Sequence, residues 1–120
     1  MSTDIRLAKI FGIKDSQEFP VVSLESLQIY HDYLKIQLVF SIFALYEQKI
    51  EPFKTTRWDI KVLGLFGIEF TSDVEFYGLF CEADRGRQKI QIPLADVEVM
   101  EKGNNDILIE DYKTWFWNNR

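Results

Sequence analysis

Two runs of strand-forming residues, Val74 to Ala83 and Lys89 to Pro93, flank the polar loop Asp84-Arg85-Gly86-Arg87. Two such runs joined by a short loop containing Gly make an antiparallel β-hairpin, and this commits the middle of the chain to a sheet. Further strands are available to it. Leu38 to Glu47 is rich in Phe, Ile, Val and Tyr and too short for a second helix before Pro52, so it reads as a buried strand. Trp58 to Leu63 alternates, with Trp58, Ile60 and Val62 on one side and Asp59 and Lys61 on the other. Ala95 to Val99 makes a last short strand, Val97 and Val99 facing in and Asp96 and Glu98 facing out.

Helices are expected on both sides of this sheet in the sequence. Ser23 is an N-cap and Glu25 places negative charge in the first turn; Leu24, Leu27, Tyr30, His31, Leu34 and Leu38 then share one helical arc, predicting a helix over 24–36. After the polar loop Glu101 to Asn105, Asn105 or Asp106 caps a helix over 107–117, whose face of Leu108, Ile109, Tyr112, Trp115 and Phe116 packs on the sheet. The expected architecture is α+β: a small curved antiparallel sheet, an SH3-like half-barrel, with an N-terminal and a C-terminal helix. At 120 residues, without repeats or low-complexity segments, residues 1–120 read as one domain.

Composition excludes several functions. Fourteen Lys and Arg against nineteen Asp and Glu give a net charge of -5, a field that repels nucleic acid and anionic membranes and favours cations. Asp4, Arg6 and Lys9 interrupt the apolar core that a secretory signal needs, so a cytoplasmic location is expected. The longest uncharged stretch, Ile36 to Tyr46, is far shorter than the roughly 20 residues of a spanning helix, so no membrane span is expected. With one Cys and one His there is neither an intrachain disulfide nor a zinc site of three or four N or S ligands. Cys81 lies in the apolar run Gly78-Leu79-Phe80-Cys81 and His31 on the apolar arc of the first helix, so both read as structural. No Ser-His-Asp order and no phosphate-binding glycine loop is present, and the chain is not expected to be an enzyme. Arg85, Arg87 and Lys89 at the hairpin tip are offset by Glu82 and Asp84 and read as a solvated turn.

The acidic groups carry more. On one strand face, Asp96 and Glu98 would lie about 7 Å apart, two residues along at a rise near 3.3 Å, and could flank one cation. Glu101, Asn104, Asn105 and Asp106 follow, then Glu110 and Asp111, so oxygen donors crowd residues 96–111. Calcium takes six to eight such oxygens. Asp96 and Glu98 are the principal candidate ligands, with Asp106 and Asp111 supplementary; capping and solubility account for Asp106, Glu110 and Asp111 equally well. A second acidic group, Glu69, Asp73 and Glu75, is the next place for a site. No D-x-D-x-D-G loop occurs, which excludes an EF-hand.

Short motifs then line up in order: Tyr30-x-x-Tyr33-Leu34 ahead of Leu38-Val39-Phe40; Ile60-Lys61-Val62-Leu63-Gly64-Leu65 after Pro52; Gly86-Arg87 followed by Ile92-Pro93-Leu94-Ala95-Asp96-Val97-Glu98; and Ile109-Glu110-Asp111-Tyr112-x-x-Trp115. From about Leu24 onward the chain resembles the small CcbP-type calcium-binding proteins of cyanobacteria and other bacteria. The resemblance implies a compact protein that binds Ca2+ without an EF-hand, as a buffer or sensor; it assigns no individual ligand. The competing expectation is a non-enzymatic protein-interaction module with an SH3-like barrel, its acidity serving solubility. Trp117 supports that alternative, because it falls on the polar face of the last helix with Glu110, Lys113 and Thr114.

Overall fold

The computed structural model describes residues 2–14, 18–52, 54–70 and 73–120. Helix α1, Thr3–Phe11, begins at Ser2, whose side chain accepts from the Ile5 N–H, and stops at Gly12 in the left-handed conformation. The sequence expectations place no helix here. Helix α2, Leu24–Gln37, starts where expected: the Ser23 hydroxyl accepts from the Ser26 N–H, and the Ser26 hydroxyl accepts from the Ser23 N–H, a reciprocal cap. Leu27, Tyr30, His31 and Leu34 form its buried stripe.

Five strands follow: β1 Ile42–Glu51, β2 Lys54–Leu65, β3 Phe80–Arg85, β4 Gln88–Pro93 and β5 Val97–Val99. They form one antiparallel sheet in the order β4-β3-β2-β1-β5, curved and not closed. The hairpin turns at Gly86 and Arg87, inside the loop expected over Asp84–Arg87, with Asp84 and Arg85 still paired in β3 opposite Lys89 and Gln88. In register, Ile42 lies opposite Val62 and Ala44 opposite Ile60, all four buried, so one face of the sheet supplies the core. Helix α4, Asn104–Asn118, lays Leu108, Ile109, Tyr112, Trp115 and Phe116 into that core. The architecture is the expected α+β class.

Four local expectations are corrected. The strand expected over Leu38–Glu47 begins only at Ile42, because Leu38 ends α2 and is itself buried. Val74–Tyr77 is a single helical turn, α3, and the strand expected over Val74–Ala83 begins only at Phe80. Asp73 and Gly78 bound that turn with positive φ, and a Cβ on Gly78 would stand 2.4 Å from the Tyr112 hydroxyl. The sheet cannot run through a point where α4 presses this closely, so the backbone coils first. Leu94–Asp96 is a 3-10 turn, leaving only Val97–Val99 extended. Helix α4 starts at Asn104 with Gly103 at its cap, so Asn105 and Asp106 lie inside its first turn.

Candidate metal centre

Asp111 lies on the buried side of α4 and faces α1. Its carboxylate accepts from Arg6 Nε at 2.5 Å and from Arg6 Nη2 at 3.0 Å, a two-pronged pair whose guanidinium also donates to Thr3 Oγ1. The Asp111 hydrogen bond holds the guanidinium above its ordinary pKa. Arg6 thus takes both carboxylate oxygens of a predicted ligand. Nearby, the Tyr30 hydroxyl is fully buried and has no hydrogen-bond partner among the described residues; burial first, then the Asp111 charge, push its pKa up.

Asp106 is only 15% exposed and pairs with Lys102 Nζ at 3.7 Å, in the first turn of α4 where its charge also meets the positive helix end. Beside it, Asn105 works as a clamp: its Oδ1 accepts from the Val39 N–H at 3.1 Å and its Nδ2 donates to Val39 O at 3.0 Å. This ties the α2–β1 connection to the start of α4 across a cavity of about 310 Å3 that Ser41, Phe43, Glu101 and Asn104 also line.

Asp96 and Glu98 occupy different local structures. Asp96 ends the 3-10 turn, while Glu98 is exposed between buried Val97 and Val99, opposite Leu45 of β1. The spacing of a continuous strand therefore does not set their separation. Burial raises the Asp96 carboxyl above the usual range, and the Lys113 ammonium works against that. Lys113 is itself committed, donating to Val97 O at 3.0 Å and to Glu110 at 3.3 Å. Neither Asp96 nor Glu98 has an ion pair among the described residues. Glu69, Asp73 and Glu75 are exposed around α3, where Asp73 and Glu75 line a depression of about 420 Å3.

Cys81 is fully buried in β3 opposite Ile92; burial, and secondarily the Asp96 charge, push its thiol up to about 12. The His31 ring lies 3.1 Å from the Asp32 carboxylate on its own helix and holds that carboxyl below its usual range. Among the described residues, no three His, Cys, Asp or Glu side chains converge where one ion could hold them. The sequence reading missed Arg6, whose partner lies 105 positions away, and the Asn105 clamp, which spans 66; neither has a local signal. The donors that remain at the strand rim are hard oxygens, the type that calcium takes.

An open five-stranded antiparallel sheet with α1 and α2 before it in sequence, α4 after it and the helical turn α3 just ahead of β3 defines the architecture. Neither a known sequence family nor a curated protein matches the chain by sequence. Among solved structures, Anabaena CcbP superposes with a TM-score of 0.61 at 20% identity, over 82% of this chain and 78% of that one. A calcium-binding protein in its calcium-binding form superposes with a TM-score of 0.64 at 16% identity, over 96% of this chain and 94% of that one. The chain has the CcbP-type fold.

Proposed function

We propose that this protein is a cytoplasmic calcium-binding protein, a buffer or sensor, that holds Ca2+ through surface carboxylates without an EF-hand. The observation that carries the reading is a fold shared over 96% of the chain with a protein solved in a calcium-binding form. The net charge of -5 supports it by drawing cations toward the surface. The site proposed is the rim at Asp96 and Glu98, with backbone carbonyl oxygens and water filling the shell, since no third carboxylate converges there among the described residues. Asp106 is the supplementary ligand, freed by turning Lys102 away. Asp111 is set aside because Arg6 occupies it on both oxygens. Few carboxylates in one place predict a weak site, since affinity rises with ligand charge and rigidity.

Calorimetric titration of chelator-stripped protein tests this. Saturable binding of calcium is expected, with magnesium much weaker because it sheds its water reluctantly. Absence of any saturable calcium heat would overturn the reading. The second reading, an interaction module, draws on exposed Phe76, Tyr77 and Trp117.

A further inference from the structure

The aromatic side chains that α3 and α4 leave in solvent are gathered at one place. Phe76, Tyr77 and Trp117 are 63%, 46% and 53% exposed, and with Phe116 and Asp96 they line a depression of about 260 Å3. Its present occupant is a guanidinium. The Arg120 head group stands 4.8 Å from the Phe116 ring centroid and 5.1 Å from those of Phe76 and Trp117, and Nη2 donates to Phe76 O at 2.5 Å. Ring faces are negative, so three of them around one delocalised cation attract it, more so where water is partly excluded. Asp96, on the same wall, has no guanidinium or ammonium within ion-pair distance among the described residues.

We propose that this depression is a binding site for the arginine side chain of a basic partner peptide, and that Arg120 is a tethered competitor resident in it. The guanidinium of the partner would take the place of Arg120 over Phe76 and Trp117, while its planar N–H groups reach the Asp96 carboxylate and Phe76 O. Arginine suits this better than lysine, because a flat, weakly hydrated cation can stack and donate at once. The net charge of -5 supplies the long-range attraction for a basic segment. The site shares Asp96 with the proposed calcium rim but does not depend on calcium.

The test is a titration of the full chain, in chelator, with a short acetylated and amidated peptide carrying two arginines, followed by Trp fluorescence and calorimetry. Its lysine and glutamate counterparts serve as controls. Saturable binding of the arginine peptide is expected, weaker for lysine and absent for glutamate. Trp117→Ala should weaken it about tenfold, the scale of a partly desolvated cation–π contact. Arg120→Ala should tighten it severalfold, because a competitor held in place lowers apparent affinity by the fraction of sites it fills. If Arg120 is only a clasp for the helix end, Arg120→Ala will lower the melting temperature and leave binding unchanged or weaker, and the proposal fails. It fails equally if all three peptides bind alike, or if concentration-dependent self-association accounts for the fluorescence change. Because no calcium is present, failure here leaves the calcium reading untouched, and failure of calcium binding leaves this result standing.

Discussion

Two aspartates, one on α4 and one just before β5, have opposite surroundings. Asp111 is 4% exposed and fastened to Arg6 through both oxygens. Asp96 is partly desolvated, its carboxyl raised by burial, and Lys113 supplies only a diffuse counter-charge. The first joins α1 to α4 and is consumed by the fold. The second keeps an exposed face open to a cation, and an added positive charge there would oppose the desolvation that raises its carboxyl. A carboxylate's usefulness to an ion depends on what the fold has already given it.

The comparison between this closed corner and the open rim is broken most forcefully at Gly78, where α4 meets the chain. Gly78→Ala places a Cβ 2.4 Å from the Tyr112 hydroxyl and 2.8 Å from the Phe116 ring, at φ +78°. Overpacking and a strained backbone each cost roughly 1–3 kcal/mol, so a loss of about 3 kcal/mol or more is expected in denaturant unfolding. A loss under 1 kcal/mol would mean that α4 does not press there. Asp111→Asn should come next: it keeps the shape but removes the charge pairing with Arg6 and turns an N–H donor toward one of the two guanidinium donors, so the melting temperature should fall clearly while calcium affinity stays as in the parent. A calcium-binding loss in that variant without a stability loss would put Asp111 back among the ligands.

Asp96→Asn should have the smallest effect, and of opposite sign. The folded pKa of Asp96 lies above its unfolded value, so the fold favours the protonated form. That contribution is fully present below the ordinary carboxylate pKa and is lost as pH rises through the folded value. Asparagine carries no charge to desolvate, so the calcium-free variant should be slightly more stable than the parent at neutral pH, and the gain should vanish in acid. A neutral-pH loss instead would show that the carboxylate is already paired in the empty protein.

Much of this was legible in sequence because it is local. The Ser23 cap, the hairpin turn within 84–87 and the five apolar residues of α4 each depend on neighbours a few positions away, though the return bond from Ser26 is not among the sequence expectations. What was not legible is set by distant contacts. Helix α1 is nine residues long, too short to be secure by itself, and is held by Arg6 reaching Asp111. The Val74–Ala83 pattern has strand-forming residues throughout, yet Tyr112 and Phe116 require a glycine in an unusual conformation at Gly78 and turn the first half into a coil. At the rim, the residues Asp96 and Glu98 could be singled out by type, but the 3-10 turn at Leu94–Asp96 that orients the first of them could not.

The central claim, that calcium is held at the Asp96–Glu98 rim, is tested most directly by thermal unfolding with and without calcium, in the parent and in Asp96→Asn/Glu98→Gln. Binding to the folded form alone adds about 2.7 kcal/mol at calcium a hundredfold above its dissociation constant. The parent should therefore melt at a clearly higher temperature with calcium, while the double variant, folded and near the parent's calcium-free midpoint, should lose most of that rise. An equal calcium-dependent rise in both proteins would contradict the account and move the site to Glu69, Asp73 and Glu75.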